Sequence, residues 1–334
     1  MRIVVVGATG NVGTSLLAAL QQQGTHEVAG LARRPPSNPG GVDWIRADIR
    51  HDDLEAAFRG ADSVVHLAWA IQPSHELATL RSVNVDGSRR VFDAVARAGV
   101  PSLVYASSVG AYAAGPVNRR VDESWPATGI PTSFYSRHKA EVEAMLDVFE
   151  GEQASVRVIR LRPGLIFKRQ AGAEIAGLFL GRLVPRLLAD PKLIPLVPDH
   201  PRLRFQAVHS LDVGNAYRLA VESDERGAFN VAADPVLDGP LLARTLDARP
   251  VRVPAALMRG AAWATWTLRL QPTPPGWVDM ALGVPLMDWS RARERLGWEP
   301  TRTSVEALLD VMDGMREGAT ADTPSTAGHG AAPV

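Results

Sequence analysis

The 334-residue sequence predicts an α/β fold, a doubly wound parallel sheet followed by a smaller C-terminal region. Three features carry that expectation. Short runs at 3–6, 27–31, 63–67, 102–105 and 156–161 are rich in β-branched residues and largely apolar, as strands covered on both faces are. Between them lie amphipathic, helix-like stretches at 12–23, 52–58, 76–98 and 135–149. The first run opens directly into a glycine turn that leads into the first helix-like stretch. Strand and helix in alternation, joined by right-handed crossovers, put helices on both faces of one sheet.

The alternation loosens after Gly164. Pro185, Pro191, Pro195, Pro198 and Pro201 cut the next stretch into short pieces, and a helix is expected to start near Asp212, well placed as an N-cap. From Gly318 onward the chain is rich in Ala, Thr, Gly and Pro, the composition of a disordered tail.

Composition narrows the function classes. A hydrophobic content of 46% suffices for a large core. Lys and Arg total 36 and Asp and Glu 36, so no global charge favours nucleic acid or an anionic membrane. Cysteine is absent, which removes disulfides, thiolate nucleophiles and thiolate-held metals, and no metal site is expected. The apolar run after Met1 is too short for a signal-peptide core. The longest apolar helical stretch, 255–270, is interrupted by Arg259 and ends near Arg269, so it is not expected to span a membrane. A cytoplasmic protein is the expectation.

The glycine turn is Gly7-Ala8-Thr9-Gly10-Asn11-Val12-Gly13. Glycines at this spacing, between a first strand and a first helix, let backbone N–H groups approach a pyrophosphate seated on the helix N-terminus. This is a Rossmann-like dinucleotide site. The choice between NAD and NADP falls at the end of the second strand, where an acid would bind the ribose 2′-hydroxyl. Ala32 stands there, followed by Arg33 and Arg34, two guanidiniums suited to a 2′-phosphate. The reading favours NADP over NAD.

Tyr135-Ser136-Arg137-His138-Lys139 sets Tyr135 and Lys139 four residues apart, on one face of a helix. An ammonium beside a phenol favours the phenolate and lowers its pKa, which would make Tyr135 a general acid/base near neutral pH. Upstream, Ser107 and Ser108 end a predicted strand, at the sheet edge where ligands of such folds gather. A serine hydroxyl there can donate to a substrate oxygen; Ser108 is the first choice and Ser107 the second.

Together these residues resemble the short-chain dehydrogenase/reductase superfamily, in its extended branch, the NAD(P)-dependent epimerase/dehydratase family. The resemblance runs from Met1 to about Pro300. It includes the Gly7/Gly10/Gly13 turn, Ala47-Asp48-Ile49, His66-Leu67-Ala68, Asn84-Val85-Asp86-Gly87, Ser107-Ser108, Tyr135/Lys139 and Leu161-Arg162-Pro163-Gly164. His209-Ser210-Leu211-Asp212-Val213 and Leu296-Gly297-Trp298-Glu299-Pro300 are similar to its later motifs. The resemblance implies that Asp48, with Ile49, contacts the adenine and that Leu67 and Ala68 line the cofactor. It implies that Lys139 binds the nicotinamide ribose, Pro163 and Gly164 line the nicotinamide, and Ser107 lies in the cofactor site. Asn84 would support the lysine or simply pack its helix, and His209 reads as structural rather than catalytic.

The implied division is a mainly NAD(P)-binding Rossmann domain at 1–165, to which 205–232 returns, a substrate-binding region at 166–204 and 233–316, and a disordered tail at 317–334. The resemblance also implies a homodimer through the stretches 76–98 and 135–149, a stripe that the pattern does not separate from ordinary core.

Departures from the family pattern bear on substrate. Nucleotide-sugar 4,6-dehydratases resemble one another in an Asp-Glu after the catalytic hydroxyl, whereas here Val109-Gly110 follows Ser108, so sugar dehydration is not expected. Leu165 stands where nucleotide-sugar members tend to have asparagine. The stretches 173–188 and 193–197 are mostly apolar, with Arg182, Arg186 and Lys192 as scattered cations. The expected function is NAD(P)-dependent hydride transfer to or from a carbonyl or alcohol carbon of a small, rather apolar molecule. Two alternatives stay open: a nucleotide-sugar epimerase with tightly bound NAD, and a non-catalytic dinucleotide-binding regulator.

Overall fold

A computed structural model describes residues 1–38, 40–72, 74–179, 194–320 and 323. The chain begins with β1 (Arg2–Val6), α1 (Asn11–Gln23), β2 (Glu27–Ala32), β3 (Asp43–Arg46), α2 (Glu55–Phe58) and β4 (Ser63–His66). Next come α3 (Leu77–Arg81), α4 (Gly87–Arg97), β5 (Ser102–Ala106), β6 (Arg120–Val121), α5 (Phe134–Glu152) and β7 (Arg157–Pro163). They are followed by β8 (Leu165–Phe167), α6 (Gly172–Phe179), β9 (Leu196–Asp199), β10 (Arg204–Phe205), β11 (Ala207–His209), α7 (Ser210–Glu222) and β12 (Gly227–Val231). The last are β13 (Leu237–Asp238), α8 (Gly239–Thr245), β14 (Arg249–Arg252), α9 (Ala255–Thr267), α10 (Gly276–Gly283), β15 (Leu286–Met287), α11 (Ser290–Leu296) and α12 (Ser304–Glu317).

Among the described residues, seven strands form one sheet in the order β12-β7-β5-β4-β1-β2-β3, every neighbouring pair parallel. This is the doubly wound arrangement the sequence predicts. The strands read as apolar throughout because both faces are buried. Ile3 and Val5 of β1 join the core under α1 and α7, while Val4 and Val6 join the core under α2, α4 and α5. The edge strand β3 escapes the pattern because only Trp44 and Ile45 lie between its exposed charged ends. At the opposite edge, β12 pairs with β7, so the chain comes back to the sheet after leaving it at Pro163.

Two local expectations are corrected. The stretch 76–98 is broken by a wider, π-helical turn at Ser82–Asp86, which turns Asn84 inward with no exposure. Asp212 does not cap α7. The His209 ring nitrogen accepts from the Leu211 N–H in that role, because the helix starts at Ser210. Asp212, already inside the helix, accepts from the Thr301 hydroxyl and the Arg302 N–H.

Within the tail expected over 317–334, Glu317 still belongs to α12, and Gly318 caps that helix in the left-handed region at φ 65°. The rest of that stretch, apart from 319, 320 and 323, lies outside the described residues, as do Pro185, Pro191, Arg182, Arg186 and Lys192. No helix among the described residues is long and apolar enough to cross a membrane, the 255–270 stretch included.

Candidate active site

The order of the sheet reverses between β1 and β4, and a crevice opens above their C-terminal ends, where open α/β sheets bind ligands. Three glycines shape its floor for different reasons. Gly7 has φ 84°, and a Cβ there would lie 2.7 Å from the Ala68 nitrogen. A Cβ on Gly13 would lie 2.5 Å from the Gly7 carbonyl oxygen, so that glycine lets α1 sit against the turn. At Gly10 a Cβ would meet only the Gly7 oxygen, at 3.5 Å, so its backbone stays open to the crevice. No packing in the protein demands a glycine at position 10, which fits the close approach of a phosphate.

The resulting cleft holds about 260 Å³. Of the residues expected to bind cofactor, it is lined by Gly7, Thr9, Gly10, Arg33, Arg34, Asp48, Ile49, Leu67 and Ala68. Asn11, Val12 and Gly13 stand behind it at the start of α1. His66, wholly buried, points instead into the core and pairs with Ser88 at 2.9 Å. Asp48 accepts from the Arg50 guanidinium and backbone N–H; burial opposes its charge, but the Arg50 contacts and the nearby Arg33 prevail and hold its carboxyl below the usual range. Arg33 and Arg34 are exposed at the rim, and among the described residues neither makes a hydrogen bond or ion pair. These features fit a dinucleotide.

Tyr135, Lys139 and Ser108 converge at the ends of β5 and α5. Ser133 caps α5, accepting from the Ser136 N–H, and so fixes where the helix face carrying Tyr135 and Lys139 begins. The two serines separate clearly. The Ser107 hydroxyl donates to Glu143, whereas the Ser108 hydroxyl lies beside Tyr135, favouring its phenolate, and accepts from the Gly110 N–H at 3.0 Å. Lys139, 3% exposed, donates from Nζ to the Ala106 carbonyl at 2.6 Å.

Lys139 does not lower the Tyr135 pKa as the sequence suggests. Its Nζ lies 5.9 Å from the centre of the phenol ring, and burial governs both groups. Burial pushes the phenol above its ordinary value, against the Ser108 hydrogen bond. It pushes the ammonium well below its own, against the pull of Glu143.

Four residues named by the sequence lie outside this cleft. Asn84 accepts from the Ala70 N–H at 2.7 Å and donates to the Ala70 carbonyl at 2.8 Å, so it clamps the loop after β4 and supports no lysine. Pro163 is buried at the end of β7, and a Cβ on Gly164 would lie 2.4 Å from the Gln206 oxygen; neither lines the cleft. His209 reaches Asp310 on α12 at 3.2 Å, a structural tie.

Residues 3–232 match the model of the NAD dependent epimerase/dehydratase family. The chain belongs to that family. It is also 31% identical, over 317 residues, to an uncharacterized protein of Mycobacterium tuberculosis (strain ATCC 25618 / H37Rv); the match covers 93% of this chain and 29% of the relative's length. The short-chain dehydrogenase/reductase family 42E member 1 of Macaca fascicularis is 30% identical over 237 residues, 66% of this chain and 58% of that protein. The chain therefore spans less than two thirds of either relative. Among solved structures, UDP-glucose 4-epimerase of Thermus thermophilus in complex with NAD superposes with a TM-score of 0.68 at 24% identity, over 95% of this chain and 99% of that one. MoeE5 in complex with UDP-glucose and NAD gives 0.70 at 19%, over 95% and 99%. At these identities the structures share the fold.

In this member of the epimerase/dehydratase family, four residues outside the sequence expectations complete the site. Trp69 follows Ala68 directly and lays its ring face over Lys139 Nζ, 3.5 Å from the centroid. Trp277, brought in by α10, leans on the Tyr135 ring at 5.0 Å. Glu174 of α6 lines the cleft, and burial raises its carboxyl to about 7 against the charge of Lys168. Glu143, one turn after Lys139, is held between Arg160 and Arg162. The spacing from Lys139 could have flagged Glu143. Nothing local announces Trp277.

Proposed function

We propose that the chain is an NAD(P)-dependent oxidoreductase, preferring NADP, that moves a hydride to or from a carbonyl or alcohol carbon of an apolar substrate. The enclosure of Tyr135 carries this reading. Its ring lies 5.8 Å from Trp69 and 5.0 Å from Trp277, and the Met280 sulfur and the Tyr135 ring would meet a Cβ on Gly110 at 3.2 and 2.8 Å. The side chain position at 110, where a dehydratase would need an acid, is therefore filled by the tyrosine itself. Aromatic and thioether surface around the reacting phenol suits an apolar molecule better than a sugar diphosphate.

Ser108 would hold the substrate oxygen through its hydroxyl, beside the phenol. The nicotinamide, when bound, supplies or accepts the hydride. As the carbonyl carbon becomes tetrahedral, Tyr135 gives its proton to the oxygen; in oxidation the phenolate takes it back. Lys139 would bind the ribose hydroxyls. Arg33 and Arg34, exposed at the rim and making no hydrogen bond or ion pair among the described residues, support the 2′-phosphate of NADP. The residues 166–204 and 233–316 would supply the substrate side, and a homodimer through the faces of α4 and α5 belongs to the same reading.

The test is cofactor-dependent turnover of a broad panel of apolar ketones, aldehydes and alcohols, followed by nicotinamide absorbance. Turnover with NADPH or NADP is expected; none across the panel refutes the proposal. A nucleotide-sugar epimerase is the second reading, favoured by the shared fold with UDP-glucose 4-epimerase. It requires NAD to be released when the purified protein is denatured, and a protein purified without dinucleotide counts against it.

A further inference from the structure

Trp69 lines the dinucleotide cleft and also touches Lys139 and Tyr135. The cleft walls include Gly7, Gly10, Arg33, Asp48 and Trp69 and continue through Ala70, Gln72 and Glu174, but Lys139, Tyr135 and Ser108 are not among them. The indole stands between the two halves of the site, with its face on Lys139 Nζ and its edge toward the Tyr135 ring at 74°.

Neither partner in this contact is well served. Lys139 has three donors and, among the described residues, one hydrogen bond, to Ala106. Trp69 Nε1 is buried with no acceptor among the described residues. The backbone on which the indole turns is fixed, because the Asn84 amide holds both polar groups of Ala70. A movement here is therefore a side-chain rotation and not a loop opening.

We propose that Trp69 is a gate inside the dinucleotide site, closed over Lys139 in the free protein and displaced by the nicotinamide half of the cofactor. The inference rests on the cofactor reading above. A nicotinamide must come beside Tyr135 for hydride transfer, and the indole face covers the Lys139 Nζ that its ribose would meet. Ribose hydroxyls reaching Nζ supply acceptors that the indole face lacks. The adenine half needs no such movement, since Gly10, Arg33 and Asp48 already line open space. The gate thus taxes the affinity of the whole dinucleotide and leaves that of its adenine half untouched.

Isothermal titration with NADP, and with 2′,5′-ADP as the adenine half, tests this on the wild type, Trp69→Ala and Trp69→Phe, with thermal melts to establish that each variant is folded. Trp69→Ala should tighten NADP binding about tenfold while 2′,5′-ADP binding stays within about twofold, and Trp69→Phe should fall between. If the ratio of the two affinities is the same in all three proteins, or NADP binds Trp69→Ala more weakly, the indole is a static wall and the gate is refuted alone. If no protein binds either ligand, the cofactor reading fails and the gate with it.

Discussion

Tyr135 and Lys139 share a helix face, yet their protonation is set by what covers them. Two indoles pack on the phenol, and an indole and a carbonyl meet the ammonium. The phenol therefore carries its proton at neutral pH, the state needed to reduce a carbonyl. A second residue of this kind is Glu174, whose carboxyl titrates at about 7 inside the cofactor cleft. As pH rises it becomes an anion beside the site for two phosphates; Lys168, held down to about 8 by burial against the pull of Glu174, then loses its positive charge and acts in the same direction. Dinucleotide affinity should fall by roughly fivefold between about pH 6 and pH 8, and Glu174→Gln should flatten the dependence. An equally steep profile in the variant would remove Glu174 from the explanation. At the rim, replacing Arg33 and Arg34 together by Ala should weaken NADP binding by about tenfold or more and leave NAD within about twofold. Equal losses for the two cofactors in a binding titration would contradict the assigned 2′-phosphate contact.

Between elements, β5, α5 and β7 are joined by one buried ion cluster. Glu143 of α5, 2% exposed, takes both nitrogens of the Arg162 fork at 2.8 and 2.9 Å, Arg160 at 3.0 Å and the Ser107 hydroxyl. Burial works against its charge, but the Arg162 and Arg160 contacts with Ser107 hold the carboxyl down to about 2. Its folded pKa is depressed, so the contribution to stability is present above the unfolded value of about 4.3 and is lost as pH falls toward the folded one. Glu143→Ala leaves the buried Arg162 guanidinium without its carboxylate, while Arg160 keeps Asp147 and Glu150, and should cost roughly 3–5 kcal/mol in denaturant unfolding at neutral pH. A loss below about 1 kcal/mol would mean the cluster is solvated or can rearrange. α10 is the other element the site depends on. A Cβ on Gly276 would lie 2.4 Å from the Thr132 oxygen, so the helix can seat closely before α5 and bring Trp277 onto Tyr135.

Across the whole molecule, what the sequence announces is what depends on local chemistry. The apolar runs reveal a sheet buried on both faces, the glycine turn reveals the crevice, and the Tyr135/Lys139 spacing reveals a shared helix face. β3 stays hidden because its four residues alternate no apolar face. Trp69 and Trp277 stay hidden because an indole near a motif, or 142 residues after Tyr135, looks like core until the chain is folded. Asn84 shows the same limit: its identity is legible, but only the π-helical turn reveals that it clamps Ala70. The choice between Ser107 and Ser108 needed the position of Glu143, a residue no motif names.

The measurement that bears most directly on the proposed chemistry is turnover of wild type and Tyr135→Phe on the same apolar carbonyl panel, with dinucleotide binding titrated in parallel. The wild type should consume NADPH, and Tyr135→Phe should lose roughly a factor of 10²–10⁴ in rate with its dinucleotide affinity unchanged. A Tyr135→Phe protein that turns over like the wild type, or a wild type that binds dinucleotide and reduces nothing, would contradict Tyr135 as the acid of a hydride-transfer enzyme.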